Sequence, residues 1–415
     1  MRMYCFPLLT LAWMGLVGLV AAQQPPAKTA TTQPPGKTAE KPPEKMAEKT
    51  APAKAPVTKS NANVEHLVTF TADGVRIEGD FYPPAESKAK TAPCIILLHA
   101  IGPRNLTASR ADFGKLPERL QKLGYAVVAI DLRGYGKSKT VESQFWNSHR
   151  PKNRNLELIE AKDYSSSSEM LEMVYDLTAV KIWLNIKNNA KECNSHAVAV
   201  IALEQSGLIA MAWAANEHAD PNRVKVRSVA GGLPNQNGFG NQGFGNQGNT
   251  GFGNQGFGNQ GNTGTGNQRQ PGSIVPRFEG EDITCIVPIS TSHRLNEAIN
   301  LGYLERWVTF LRDHQVATMA IYGAQDKEAS AFWAKAGLWA RPAGDKFRFK
   351  NSGVKPVKGT SLTGAKLLSN DTLDVPKMLE DYLAEALKKP AESRLWAEQT
   401  GQDRPTPIEL QRLFR

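Results

Sequence analysis

The chain is poor in cysteine, has no histidine after His314 and carries no long apolar run beyond its first 20 residues. Only four of its 415 residues are cysteines. Cys5 lies in the leader, which leaves Cys94, Cys193 and Cys285. An odd number without C-x-x-C spacing gives neither a disulfide framework nor a zinc-ligand pattern, although one bridge among the three stays open. No metal and no cofactor is expected. Beyond the leader no segment is long and apolar enough to span a bilayer. No basic run with interleaved aromatics occurs in the body of the chain, so nucleic-acid binding is not expected.

What is present begins with a leader. MRMYCFPLLTLAWMGLVGLVAAQQ has Arg2, an apolar run from Cys5 to Val20 and small residues ending at Ala22. This predicts a signal peptide over 1–22 and export to the periplasm or the exterior, or a membrane anchor if the leader is not cleaved. Residues 23–61 are Pro, Ala, Lys and Thr with almost nothing apolar, the composition of a disordered tether. The formal net charge is +10, and seven Lys against three Glu in 23–60 put +4 of it there. Such a tract can make weak contact with an acidic envelope surface. The sequence GFGNQGFGNQGNT at 238–250 recurs unchanged at 251–263. It offers no core-forming face and reads as a low-complexity insertion, about 234–272, whose ends should lie close together.

Between these tracts, 62–389 reads as one α/β domain, with a second, polar insertion at about 139–164 and a charged tail over 390–415. His66–Phe70 and Val75–Phe81 alternate around Ala72-Asp73-Gly74, the pattern of a hairpin. Continuous apolar runs at 93–99, 125–130, 197–203, 283–289 and 316–322 read as strands buried on both faces, and 346–350 as a further strand. Helical patterns fall at 112–123, 166–187, from 205, 294–312, 327–340 and 375–388. Strand and helix in alternation imply a mostly parallel sheet of about eight strands with helices on both faces.

Three stretches carry a family resemblance. Tyr125 to Ser138, YAVVAIDLRGYGKS, is very like the strand-and-loop signature G-Y-x-V-x-x-x-D-x-R-G-x-G-x-S of the α/β-hydrolase superfamily. Gly136-Lys137-Ser138 is not a Walker phosphate loop, which needs Gly where Asp131 stands. Leu97-Leu98-His99-Ala100-Ile101-Gly102 is similar to that family's oxyanion loop, with His99 as a brace. His196 to Ala215, HAVAVIALEQSGLIAMAWAA, runs from strand into helix through Glu204-Gln205-Ser206 without a gap. It resembles the sharp turn that exposes the serine of G-x-S-x-G. The chain is thus similar to the dienelactone-hydrolase and serine-esterase branch over about 64–388.

The resemblance implies positions for a catalytic triad and an oxyanion hole. Glu204 stands where the serine belongs, with Ala202 and Ser206 in place of the two glycines. Asp326, in Tyr322-Gly323-Ala324-Gln325-Asp326, matches the acid, and is equally suited to cap the following helix. Thr363, in Leu362-Thr363-Gly364-Ala365, stands in the histidine position. The backbone amides of Ile101 and Gln205 would form the oxyanion hole.

Threonine cannot exchange a proton near neutral pH as imidazole does. A carboxylate nucleophile is chemically workable, as the aspartate of haloalkane dehalogenase and epoxide hydrolase relatives implies, but release of its ester needs an activated water. Ser206 is the alternative nucleophile. A carboxylate at the apex can also settle at the helix N-terminus and plug the oxyanion hole itself. The expectation is a catalytically degenerate hydrolase that binds or scaffolds. The alternatives are an active ester or amide hydrolase built on Glu204 and Asp326, with an ester- or amide-like ligand, and an envelope interaction protein working through tether and repeats.

Overall fold

The computed structural model describes residues 63–148, 158–164, 166–219, 224–227, 275–292, 301–340, 353–394 and 396–399. The leader, the tether, the repeats, His293, the 346–350 segment and the end of the chain lie outside the described residues.

In chain order the hairpin is β1 (Glu65–Phe70) and β2 (Arg76–Tyr82), followed by β3 (Pro93–Leu98), α1 (Leu116–Lys122) and β4 (Ala126–Ile130). Then come α2 (Ser143–Ser148), α3 (Ser167–Leu171), α4 (Val174–Asn189), β5 (Asn194–Leu203) and α5 (Ser206–Ala219). A two-stranded ribbon, β6 (Val224–Arg227) and β7 (Val275–Phe278), precedes β8 (Ile283–Ile289) and α6 (Leu301–Asp313). The domain closes with β9 (Ala317–Gly323), α7 (Lys327–Ala340), β10 (Gly353–Val357), α8 (Gly364–Leu368) and α9 (Val375–Ser393).

Eight strands form one sheet in the order β1-β2-β4-β3-β5-β8-β9-β10. The β1–β2 and β2–β4 pairs are antiparallel, and every pair from β4 to β10 is parallel. The central strands are apolar throughout because both faces are covered. Cys94, Ile96 and Leu98 of β3, with Val198, Val200 and Ala202 of β5, face one core beside Trp213, Leu304 and Trp333. Ile95, Leu97, Ala199, Ile201 and Leu203 face the other, beside Leu120 of α1 and Leu379 and Leu383 of α9. Cys94, Cys193 and Cys285 are buried free thiols. Among the described residues no helix is long and apolar enough to cross a membrane.

Several elements differ from the sequence expectation. The expected helix over 166–187 is two helices, α3 and α4. The first begins at a capping box in which Ser166 and Glu169 bond each other's backbone amides. The sheet's last described strand is Gly353–Val357, paired with β9, which the sequence reading did not mark as a strand; the expected strand at 346–350 lies outside the described residues. Arg227 pairs with Val275, so the chain on either side of the repeat-bearing segment meets in β6–β7. The last helix runs to Ser393, and the segment after it is anchored: Trp396 Nε1 donates to the Asn188 carbonyl at 2.9 Å and Gln399 Nε2 to Ser195 Oγ at 3.0 Å.

The loop after β4 holds its shape through buried ion pairs. Arg133, fully buried, donates through Nε to Asp176 Oδ1 at 2.8 Å and through a terminal nitrogen to Asp73 Oδ2 at 2.7 Å. Burial pushes the Asp176 carboxyl up to about 6, against the pull of Arg133. Asp131 accepts from the Lys137 amide at 2.9 Å and pairs with Arg110. A Cβ on Gly136 would fall 2.2 Å from Asp131 Cγ, which is why that position is glycine. Tyr135 then reaches across the sheet end, its hydroxyl accepting from the Gly102 amide at 2.9 Å.

Candidate functional site

The site forms at the C-terminal ends of β3, β5, β8 and β9, where parallel strands leave a crevice. β5 passes into α5 through Glu204 and Gln205 alone. Glu204 takes φ +51°, the left-handed conformation that a side chain adopts at a local cost. Neighbouring strands hold it there. Its amide donates to the Ile289 carbonyl at 2.7 Å, and its own carbonyl accepts from Thr291 Oγ1 at 2.7 Å. The close approach behind the turn is borne by Gly207, one residue past the position the motif assigns. A Cβ there would lie 2.2 Å from Thr291 Oγ1.

Glu204 projects into a cleft of about 870 Å³ that Asp326, Thr363, Ile101 and Gln205 also line. The three triad positions and the two oxyanion positions therefore come together. Ser206 does not join them. It is fully buried, with Oγ donating to the Leu203 carbonyl at 2.7 Å and the Leu98 carbonyl 3.2 Å away. Its hydroxyl is turned to the backbone, which removes it as a nucleophile facing the cleft.

The Glu204 carboxylate is held by a residue that the sequence reading passed over. Asn105 Nδ2 donates to Glu204 Oε2 at 2.8 Å and lies 3.1 Å from the Ile101 carbonyl. On its other side the carboxylate meets the backbone of Gly364, φ +49°, where a Cβ would come 2.6 Å from Oε1. The carboxylate thus does not plug the oxyanion hole. No acceptor among the described residues bonds the Ile101 or Gln205 amides.

Asp326 acts as a helix cap. Its Oδ1 accepts from the Glu328 and Ala329 amides, both at 3.1 Å, at the start of α7. Thr363 immediately precedes α8 and makes no side-chain capping bond. None of the described histidines is hydrogen-bonded to Glu204 or Asp326. His99 is a brace. It is fully buried, its Nδ1 lies 2.7 Å from the Ala100 carbonyl, and its Nε2 accepts from the Leu132 amide at 3.0 Å. Both bonds suit the neutral ring, and burial lowers its proton affinity further.

Two more cleft residues carry chemistry that the sequence did not signal. Ser290, directly after β8, takes φ +54° with 4% of its surface exposed, and among the described residues its Oγ has no hydrogen-bond partner. Gln205 Oε1 is likewise buried and without a partner among the described residues. Among the described residues no group of three or more metal-ligating side chains occurs.

Solved structures with this architecture share little sequence with the chain. A dienelactone hydrolase from Anabaena variabilis is 12% identical, covering 78% of this chain and 99% of that one, with a TM-score of 0.41. An esterase from Pyrococcus furiosus is 13% identical over 79% of this chain and 92% of that one, TM-score 0.40. An α/β serine hydrolase homologue from Coxiella burnetii is 12% identical over 79% and 100%, TM-score 0.39. No family model and no curated protein matches the sequence. The chain's own strand order, and the left-handed Glu204 between β5 and α5, give it the α/β-hydrolase fold.

Proposed function

We propose that the protein is an exported, catalytically degenerate α/β-hydrolase-fold protein that works by binding a small molecule in the cleft over Glu204. The observation that carries this reading is the state of the three triad positions. The apex residue is a carboxylate already held by Asn105. The acid spends one oxygen on capping α7. The base position holds a threonine. Nucleophilic acyl transfer needs a base within hydrogen-bond reach of the nucleophile, and water needs one to cleave the intermediate.

Purified protein assayed against short-chain nitrophenyl esters, anilides and peptides tests this. The expected result is no turnover beyond that of Glu204→Ala. An active hydrolase built on Glu204 and Asp326 is the second reading, favoured by the unbonded amides of Ile101 and Gln205. Turnover that Glu204→Ala abolishes, with the fold intact, would establish it. Envelope association lost on deleting 23–61 or 234–272 would instead assign the interaction role to tether and repeats.

A further inference from the structure

We propose that the ligand of this cleft carries a primary ammonium group, and that the ammonium docks on Glu204. The inference rests on the binding reading above and names the chemistry that the cleft would recognise.

Glu204 is an anion without a cation. Among the described residues its carboxylate is bonded only by the neutral amide of Asn105, and no lysine or arginine pairs with it. The cations that line the cleft, Arg104, Lys327 and Lys366, are all exposed and therefore solvated. The N-terminus of α5 eases the charge only in part. A half-buried carboxylate in this state favours a ligand that brings positive charge and N–H donors together, since charge-assisted hydrogen bonds are the stronger kind.

Two neighbouring atoms point to the same chemistry. Among the described residues Ser290 Oγ and Gln205 Oε1 are buried acceptors without a donor. Both residues line the cleft beside Glu204. The Ser290 backbone is tied to that of Glu204 through β8, since Ile289 accepts the Glu204 amide. An ammonium on Glu204 has two further protons to offer, and these two side chains line the same cleft as acceptors for them.

The lining also says which cation is excluded. Among the described residues it contains no aromatic side chain, whereas quaternary ammonium groups, lacking N–H, are held by aromatic faces. A carboxylate ligand would meet like charge at Glu204. An alcohol would bring one donor and no charge.

The test is a titration of the full-length protein with n-butylammonium, n-butyltrimethylammonium, 1-butanol and butyrate, followed by ligand-observed NMR. These probes share one chain and differ only in the head group. The expected result is saturable binding of n-butylammonium at least about 10-fold tighter than any of the other three. That preference should be lost in Glu204→Gln, which keeps the shape and removes the charge, a change of order 10-fold or more for a charge-assisted pair. Ser290→Ala should weaken n-butylammonium a few-fold and leave 1-butanol unchanged.

Absence of saturable n-butylammonium binding, equal binding of the four probes, or an unchanged preference in Glu204→Gln would overturn the proposal. If Glu204→Gln does not fold, the probe series and Ser290→Ala decide it. Ester turnover by the wild-type protein would sink the non-hydrolytic reading without touching the titration. A failed titration in a protein without turnover would sink only the ammonium.

Discussion

Asn105 Nδ2 donates to Glu204 Oε2 at 2.8 Å, so the residue at the apex of the elbow is tied to the loop that follows β3. In a working serine hydrolase the apex hydroxyl is kept free for a base. Here it is replaced by an anion with its own neutral donor, and the bond has measurable consequences.

Asn105→Ala should cost about 1–2 kcal/mol in urea denaturation, since hydrogen bonds to charged groups contribute about 1.5–3 kcal/mol and this one is only partly buried. Asn105→Asp should cost more at pH 7, where two carboxylates would face each other, and should recover as the pH is lowered towards the carboxylate range.

Arg133→Ala should be among the most damaging changes in the domain. It would leave Asp73 and Asp176 buried without their cation, a situation worth about 3–5 kcal/mol. Equilibrium unfolding, or loss of soluble expression, reads the effect.

Glu204, Asp326 and Thr363, the positions that the resemblance assigns to a triad, line one cleft, so hydrolytic chemistry should be installable there. The double variant Glu204→Ser with Thr363→His should hydrolyse nitrophenyl acetate at least about 10-fold faster than either single variant, because the pair acts as a unit. Asp326 Oδ2 has no hydrogen-bond partner among the described residues and is left to orient the new ring. No gain in a folded double variant would contradict the assignment of Thr363 to the histidine position.

Acid should weaken the fold through His218. Burial, with His314 adding to it, brings its proton affinity down to about 3, whereas the unfolded chain binds that proton near pH 6.5. The contribution is therefore complete above about 6.5 and is lost as the pH falls towards 3. Denaturation at pH 7.5 and pH 5 should show the decline, and His218→Phe should show less of it. His99, also buried neutral, adds in the same direction.

Much of the fold was legible because the central strands are buried on both faces and therefore read as unbroken apolar runs. The elbow was legible for a related reason: β5 enters α5 with no residues to spare. β10 was not legible because Gly353–Val357 is short, half exposed and carries Pro356, so it shows neither alternation nor a continuous run. The anchoring of 396–399 was invisible because it uses single side-chain bonds, from Trp396 to the Asn188 carbonyl, from Asn188 and Asn189 to the Ala397 and Gln399 carbonyls, and from Gln399 to Ser195 Oγ, which leave no period in sequence. Asn105 and Ser290 sit in loops, where contact is set by the strands that bring the loops together. Ser206 was open to a catalytic reading until its hydroxyl was seen bonded to Leu203.

The central claim is that the elbow persists while its hydrolytic chemistry does not. The most direct measurement is turnover of nitrophenyl acetate and butyrate by the purified full-length protein beside Glu204→Ala. The account predicts equal rates, indistinguishable from background hydrolysis. A wild-type rate well above background that falls to background in a folded Glu204→Ala would contradict it.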